Sequence, residues 1–172
     1  DEDDRYGAPR SGMGLIIELR KKYSITPIVL TSKKNNVNSI CNQEKIENYV
    51  THHHKFVYVK NKSFKSRLKK IPRYVRYKVG NIIAYFIIKK KINLKDIDLI
   101  HTNISGIDIG VLLAKKYGIL NVMHIREFGD LDFNMKSYRR NYISFLNKNV
   151  NQFIAISEAV RCYWIKKGIN KE

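Results

Sequence analysis

Two short polar runs in the second half of the chain, residues 101–103 and 124–127, contain the side chains best suited to chemistry. His101 and His124 carry imidazoles, which donate hydrogen bonds and exchange protons near neutral pH. Arg126 carries a guanidinium, whose N–H groups bind phosphate or carboxylate. The two runs therefore predict a ligand-binding site, provided that the fold brings them together.

The sequence around these runs predicts elements that would do so. Residues 98–102 form a short apolar run, and residues 106–117 have the apolar spacing of an amphipathic helix that ends at Gly118. Residues 119–124 form a second apolar run. Strand, helix and strand in this order are typical of a parallel sheet in an α/β fold. Residues that follow neighbouring strands of such a sheet face one crevice, so the two histidines should lie side by side at one edge.

The composition indicates one folded domain with a negatively charged partner. The chain has 172 residues, 44% of them hydrophobic, with a net charge of +18 and a pI near 9.9. Such a charge favours phosphate, nucleic acid or an anionic membrane as a partner. The richness in Lys, Ile and Asn is also typical of AT-rich genomes, which would account for part of the excess. The sequence contains no run of about 18 apolar residues, so it predicts no membrane-spanning helix.

The cysteines and clustered histidines do not predict a metal site. Cys41 and Cys162 have no metal-type neighbours in sequence, so we expect buried free thiols in a reducing compartment. Residues 52–54 are three adjacent histidines, which cannot all point at one ion from a helix or strand. We therefore expect no metal and no other cofactor.

The remaining chain predicts alternating helices and strands. Residues 6–12 are predicted to be a loop, and Ser11 is predicted to cap the helix that follows. Such a loop at the start of a helix offers free N–H groups to an anion. The alternative is an ordinary capped loop. Further strands are predicted at residues 26–31, 56–59 and 152–156. Further helices are predicted at residues 35–49 and 135–148, and a last helix runs from Ser157 to Lys167. Residues 128–132 are predicted to be a loop.

The region from Lys55 to Lys95 contains 14 Lys or Arg residues and no acidic residue. Ser63 is predicted to cap a helix that runs to Lys91 and bends at Pro72. A basic, aromatic-bearing, amphipathic helix is typical of proteins that lie on a membrane surface. Its basic side chains would contact anionic headgroups, and the alternative is a solvated surface helix. The residues expected at the membrane are Arg73, Arg76, Lys78, Lys89, Lys90 and Lys91.

Four segments, taken in order, resemble the N-terminal domain of family 4 glycosyltransferases of the GT-B architecture. They are Gly7-Ala8-Pro9-Arg10-Ser11, Ile97-Asp98-Leu99-Ile100-His101-Thr102-Asn103, His124-Ile125-Arg126-Glu127 and Phe153-Ile154-Ala155-Ile156-Ser157-Glu158-Ala159-Val160. The last two are similar to a branch of the family that is found in bacterial capsule and exopolysaccharide gene clusters. The resemblance implies a Rossmann-like, doubly wound parallel sheet with helices on both faces.

The resemblance also implies an activity and roles for residues. Such enzymes move a sugar from a nucleotide-sugar to a glycan or lipid-linked acceptor without a metal, on the cytoplasmic side of the plasma membrane. The N-terminal domain holds the acceptor. His124, Arg126 and Glu127 are the expected catalytic residues, although Arg126 and Glu127 also suit a local ion pair. The expected substrate-binding residues are Gly7, Arg10, Ser11, Gly12, His101, Asn103 and Ser157.

The sequence departs from the family at both ends. No apolar strand precedes Tyr6, and the chain stops at Glu172, before the nucleotide-sugar domain of the family. The expectation that follows is half of an enzyme, incomplete at its N-terminus and inactive by itself. The rival interpretations are a basic module that binds nucleic acid or another polyanion, and a different GT-B enzyme such as a sugar-nucleotide epimerase. No nucleic-acid recognition motif supports the first of these.

Overall fold

Residues 7–59 and 70–170 are described by a computed structural model. The chain divides between His53 and His54 into two units. Within the described residues, no helix is both long and apolar enough to cross a bilayer.

The first unit packs two helices with a pair of parallel strands. Its elements are α1 (Gly7–Tyr23), β1 (Ile28–Thr31), α2 (Asn36–Gln43) and β2 (Glu47–Val50). The strands run parallel from the pair Ile28–Glu47 to the pair Thr31–Val50. The buried core is formed by Met13, Val37, Cys41 and Ile46. Asn35 caps α2, since its side chain accepts a hydrogen bond from the main-chain N–H of Val37.

The second unit contains two sheets and five described helices. Its strands are β3 (Val57–Val59), β4 (Leu99–Thr102), β5 (Leu120–Ile125), β6 (Met135–Ser137) and β7 (Gln152–Ala155). Its helices are α3 (Lys70–Lys91), α4 (Ile109–Tyr117), α5 (Asp130–Phe133), α6 (Tyr142–Asn149) and α7 (Glu158–Lys166), with a 3-10 turn at Leu94–Asp96. Strands β4, β5 and β7 form a parallel sheet in that order, whereas β3 and β6 pair antiparallel.

The main core of the second unit lies on one face of the three-stranded sheet. Met123 and Ile125 of β5 are on that face because side chains alternate along a strand. Helices α4, α6 and α7 cover them. The buried members of this core are Val111, Met123, Ile125, Leu146, Val150, Val160, Trp164 and Ile169. His124 lies between Met123 and Ile125, so its side chain must point to the opposite face.

The predicted α/β class is confirmed, and strands β4, β5 and β7 of the second unit are parallel as predicted. Strands β4, β5 and β7 fall within or one residue beyond their predicted limits. Gly118 ends α4 in the left-handed conformation at φ 69°, as its position after an amphipathic helix indicated. Ser157 caps α7 through a hydrogen bond from the N–H of Val160.

Several predicted boundaries are wrong. The helix predicted at residues 35–49 ends at Gln43, and β2 follows, since Lys45 takes a positive φ of 54° and turns the chain. The first residues of the helix predicted at 135–148 form strand β6, because they pair with β3 instead of extending α6. The predicted loop at 128–132 is partly helical. Pro72 lies within α3, and the predicted cap Ser63 lies outside the described residues.

One prediction about the cysteines is also wrong. Both thiols are free, and Cys41 is buried as expected, but Cys162 is exposed. Its position on the outer side of α7, beside the exposed Glu158, explains the difference, because the opposite side of that helix carries the buried Val160 and Trp164.

Candidate functional site

The two histidines lie at the same edge of the parallel sheet. His101 of β4 is in register with Val122, and His124 follows two residues later on β5, so the two side chains share one face of the sheet. Their ring centroids are 5.7 Å apart. The prediction that these imidazoles emerge side by side is confirmed.

Arg126 connects the ends of the two strands. Its Nε donates a hydrogen bond of 3.1 Å to the side-chain oxygen of Asn103, which follows β4. Its Nη2 lies 3.2 Å from Nδ1 of His124. A guanidinium can only donate, so Nδ1 of His124 must accept, and the ring hydrogen is on Nε2. His124 therefore presents an N–H donor on the side of its ring away from Arg126.

The surroundings keep His124 uncharged at neutral pH. Burial, followed by the charges of Arg126 and His101, lowers the pKa of His124 to about 4. Burial and the charge of Arg126 also lower the pKa of His101. Both rings are therefore neutral near pH 7, and the positive charge of this cluster is carried by Arg126.

His101 has a buried nitrogen without a partner. Its Nε2 makes no hydrogen bond within the described part of the chain, although the atom is shielded from solvent. Buried polar atoms are normally paired with protein or ordered water, so an unpaired one beside His124 indicates a position for a ligand or water.

Glu127 holds the loops in place instead of facing outwards. The residue is buried, and its Oε1 accepts hydrogen bonds from the hydroxyl of Ser105 at 2.6 Å and from the N–H of Ser105 at 3.2 Å. Its Oε2 accepts from the main-chain N–H of Arg126 at 3.2 Å, and Trp164 donates to its carbonyl at 2.8 Å. This geometry favours a positioning role for Glu127 over direct contact with a reacting group.

Two features of this region could not be read from the sequence. Ser105 is buried and joins the loop after β4 to Glu127, but a serine in a loop gives no such signal. Asp108 is fully buried and accepts hydrogen bonds from Tyr77, Asn81 and Arg139. It stands just before α4, and its side chain makes no capping hydrogen bond to that helix.

The loop predicted at residues 6–12 is wrong for residues 7–12, which are helical. Gly7, Arg10, Ser11 and Gly12 all lie within α1, so Ser11 does not cap the helix. The small residues continue the helix because Met13, just beyond them, is buried against Val37 and Cys41 in the first core. The four residues belong to the first unit, whereas the histidines belong to the second.

The other predicted site residues are in the second unit. Ser157 is the N-cap of α7 and stands two residues after the end of β7, at the sheet edge where His124 also lies. Its Oγ accepts the capping hydrogen bond. The six predicted membrane-contact residues are all exposed on α3. Within the described ranges, no group of three His, Cys, Asp or Glu side chains is arranged to hold a metal ion.

An open concavity of about 370 Å³ lies at the carboxyl end of α3, and neither histidine lines it. Its walls include four lysines and one tyrosine, which are Lys89, Lys90, Lys91, Lys95 and Tyr117.

Comparison of the chain with protein-family models, with curated proteins and with solved structures found no match.

Proposed function

We propose that this chain carries the acceptor-binding site of a glycosyltransferase that moves a sugar from a nucleotide-sugar to a glycan or lipid-linked acceptor in surface polysaccharide synthesis. The observation that carries the proposal is the pairing of His124 with Arg126 beside His101, at the carboxyl edge of a parallel sheet. In open α/β sheets ligands bind at this edge. Such an enzyme would work on the cytoplasmic face of the plasma membrane.

The chemistry of the cluster suits a sugar that is linked to phosphate. The neutral ring of His124 would donate its Nε2 hydrogen to a sugar hydroxyl and so orient the acceptor. Arg126 would stabilise the negative charge of a phosphate group, because a guanidinium forms charge-assisted hydrogen bonds with phosphate oxygens. Asn103 holds the Nε side of Arg126, so the guanidinium enters the complex with little loss of side-chain freedom.

A bound phosphate would also change the protonation of His124. Its low pKa is due to burial and to two neighbouring groups that repel positive charge. An anion beside Arg126 would offset that repulsion and raise the pKa towards neutrality. His124 would then be able to pass a proton during the reaction, which the free site does not favour.

The test is a sugar-transfer assay with the natural gene product, a panel of nucleotide-sugars and a lipid extract as acceptor, with products identified by mass spectrometry. His124→Ala is expected to lower transfer by about 10²-fold or more. His52→Ala is the matched control, because His52 is an exposed histidine outside the cluster. Transfer by His124→Ala at the wild-type rate would contradict the proposal.

A polyanion-binding module is the second candidate, and the net charge of +18 favours it. Binding to heparin or duplex DNA through charge alone weakens steeply as salt is raised. We expect such binding to be lost at physiological salt. Tight binding of duplex DNA at that salt, unchanged in Arg126→Gln, would favour the module over the enzyme.

A further inference from the structure

Helix α3 has a buried inner face and an exposed apolar outer face, which point in opposite directions. The inner face contains the buried residues Tyr77, Asn81, Ala84 and Ile88. Six large apolar side chains on the same helix are 49–73% exposed, namely Ile71, Val75, Val79, Ile82, Ile83 and Phe86. At about 100° per residue, the centres of the two sets lie on roughly opposite sides of the helix. The outer set therefore cannot contribute to the core that the inner set packs against.

The charges on α3 are all of one sign and frame the outer apolar face. The helix carries seven basic residues and no acidic one. Residues 79–88 carry no charge, and basic side chains precede and follow them. The basic residues, all exposed, are Lys70, Arg73, Arg76, Lys78, Lys89, Lys90 and Lys91.

The concavity at the carboxyl end of the helix continues the basic surface. Lys89, Lys90 and Lys91 line it together with Lys95 of the 3-10 turn. Four lysines around an open depression attract phosphate groups at its mouth. The molecule thus has an apolar strip that ends at a site suited to a lipid headgroup.

We infer that the outer face of α3 lies flat on an anionic lipid surface. The apolar side chains between Val79 and Phe86 enter the boundary between headgroups and acyl chains, and the lysines at the end of the helix contact lipid phosphates. The long stems of those lysines reach past the apolar strip to the headgroup level. This inference does not depend on the proposed sugar transfer.

Charge argues against the other partners that an apolar helix face could take. A second copy of this chain would bring seven basic side chains against seven. Nucleic acid would satisfy the charges but would leave the six apolar side chains without a partner. An anionic bilayer satisfies both features at once.

The first experiment measures binding of the 172-residue chain to vesicles that contain about one-third phosphatidylglycerol, compared with pure phosphatidylcholine. Ile83→Ser/Phe86→Ser is expected to weaken binding about tenfold. Ile25→Ser/Leu131→Ser is the matched control, because it removes two exposed apolar side chains from elsewhere. All four sites are exposed, so circular dichroism should show every variant folded. Equal binding by the two double variants would overturn the inference.

The second experiment separates insertion from simple attraction between charges. Ile82→Trp places an indole on the outer face of α3, whereas Leu131→Trp places one on another exposed surface. The native Trp164 is buried and gives a constant background. Brominated lipids should quench the fluorescence of the first variant and leave the second unchanged. Equal quenching in both variants, or in neither, would refute insertion at α3.

The third experiment tests the charged end of the helix. Lys89→Glu/Lys90→Glu is expected to weaken vesicle binding about tenfold more than Lys148→Glu/Lys166→Glu, which changes the net charge equally at exposed sites on α6 and α7. Equal losses of vesicle binding in the two double variants would mean that only net charge matters, and would contradict a headgroup contact at the end of α3. A wild-type dimer that Ile83→Ser/Phe86→Ser converts to monomers would identify the face as a self-contact and would rule out the lipid partner.

Discussion

The phenolic hydroxyl of Tyr77 donates a hydrogen bond of 2.6 Å to the carboxylate of Asp108, which has no exposed surface. This bond joins the inner face of α3 to the start of α4. Asn81 and Arg139 donate to the same carboxylate at 3.2 and 3.3 Å. A buried charge is stable only while it is paired and hydrogen-bonded, so this group of four side chains fixes how α3 packs on the second unit.

Removal of the hydroxyl should therefore destabilise the second unit. Tyr77→Phe is expected to lower the free energy of unfolding by about 1–3 kcal/mol, because a buried carboxylate loses one of its partners. Urea denaturation followed by circular dichroism measures the change. Tyr74→Phe is the control, because Tyr74 is exposed on the same helix. If the two variants unfold at the same urea concentration, the bond to Asp108 contributes nothing to stability.

Ser105→Ala tests the positioning role of Glu127. The loss of the 2.6 Å hydrogen bond leaves a buried carboxylate short of a donor, and we expect a cost of about 1–3 kcal/mol. A looser Glu127 would also free the main chain of Arg126, so the pKa of His124, followed by NMR titration, should rise from its low value. Ser144→Ala, at an exposed site on α6, should change neither quantity. An unaltered pKa in Ser105→Ala would show that Glu127 does not position Arg126.

The low pKa of His124 predicts how stability depends on pH. The pKa is about 4 in the folded chain and about 6.5 in the unfolded chain. Between these values the unfolded chain binds a proton that the folded chain does not, so the free energy of unfolding decreases as the pH is lowered from about 7 towards 4. His101 contributes in the same direction, because its pKa is lowered too.

Substitution of His124 should therefore make stability less sensitive to pH. In His124→Asn, the decrease in the urea midpoint between pH 7 and pH 5 is expected to be smaller than in the wild type. Ser144→Asn, at an exposed site on α6 that carries no titratable group, should keep the wild-type decrease. Parallel pH profiles for all three proteins would show that His124 titrates normally in the folded chain.

Two helical glycines should respond to alanine with opposite signs. Nothing lies within 4 Å of the position that a Cβ would take at Gly14, so Gly14→Ala is expected to stabilise the chain by about 0.5–1 kcal/mol. At Gly80 a Cβ would overlap the imidazole of His54, whose main-chain N–H is bonded to Asn81. Gly80→Ala should therefore destabilise the chain by about 1–3 kcal/mol. Thermal melting measures both effects, and two changes of the same sign would contradict the packing at Gly80.

Local sequence patterns were sufficient to predict those elements that follow the pattern along their whole length. The apolar run at 119–124 and the glycine at 118 predict a strand and a helix end, because both signals are contained in a few neighbouring residues. The adjacency of His101 and His124 followed from the rule that parallel strands end at one edge. That part of the candidate site could be predicted before any contact was known.

Contacts between distant residues account for what the sequence did not reveal. Strand β6 is three residues long and forms through pairing with β3, far away in the chain, so its own periodicity carries no signal. Helix α1 includes three glycines, Gly7, Gly12 and Gly14, because Met13 between the last two packs against α2. Asp108 and Glu127 bind partners on other elements. Buried acids need such partners, but the sequence does not show which residues supply them.

The two cysteines differ in burial, and each lies in a different unit, so a thiol reagent can report on the two units separately. A thiol reagent added to the native chain should modify Cys162 and leave Cys41 untouched, because only the former is exposed. Later modification of Cys41 requires opening of the core that it shares with Met13 and Val37. The rate of that second reaction therefore reports how often the first unit opens, whereas a fluorophore already attached at Cys162 follows the second unit in the same sample.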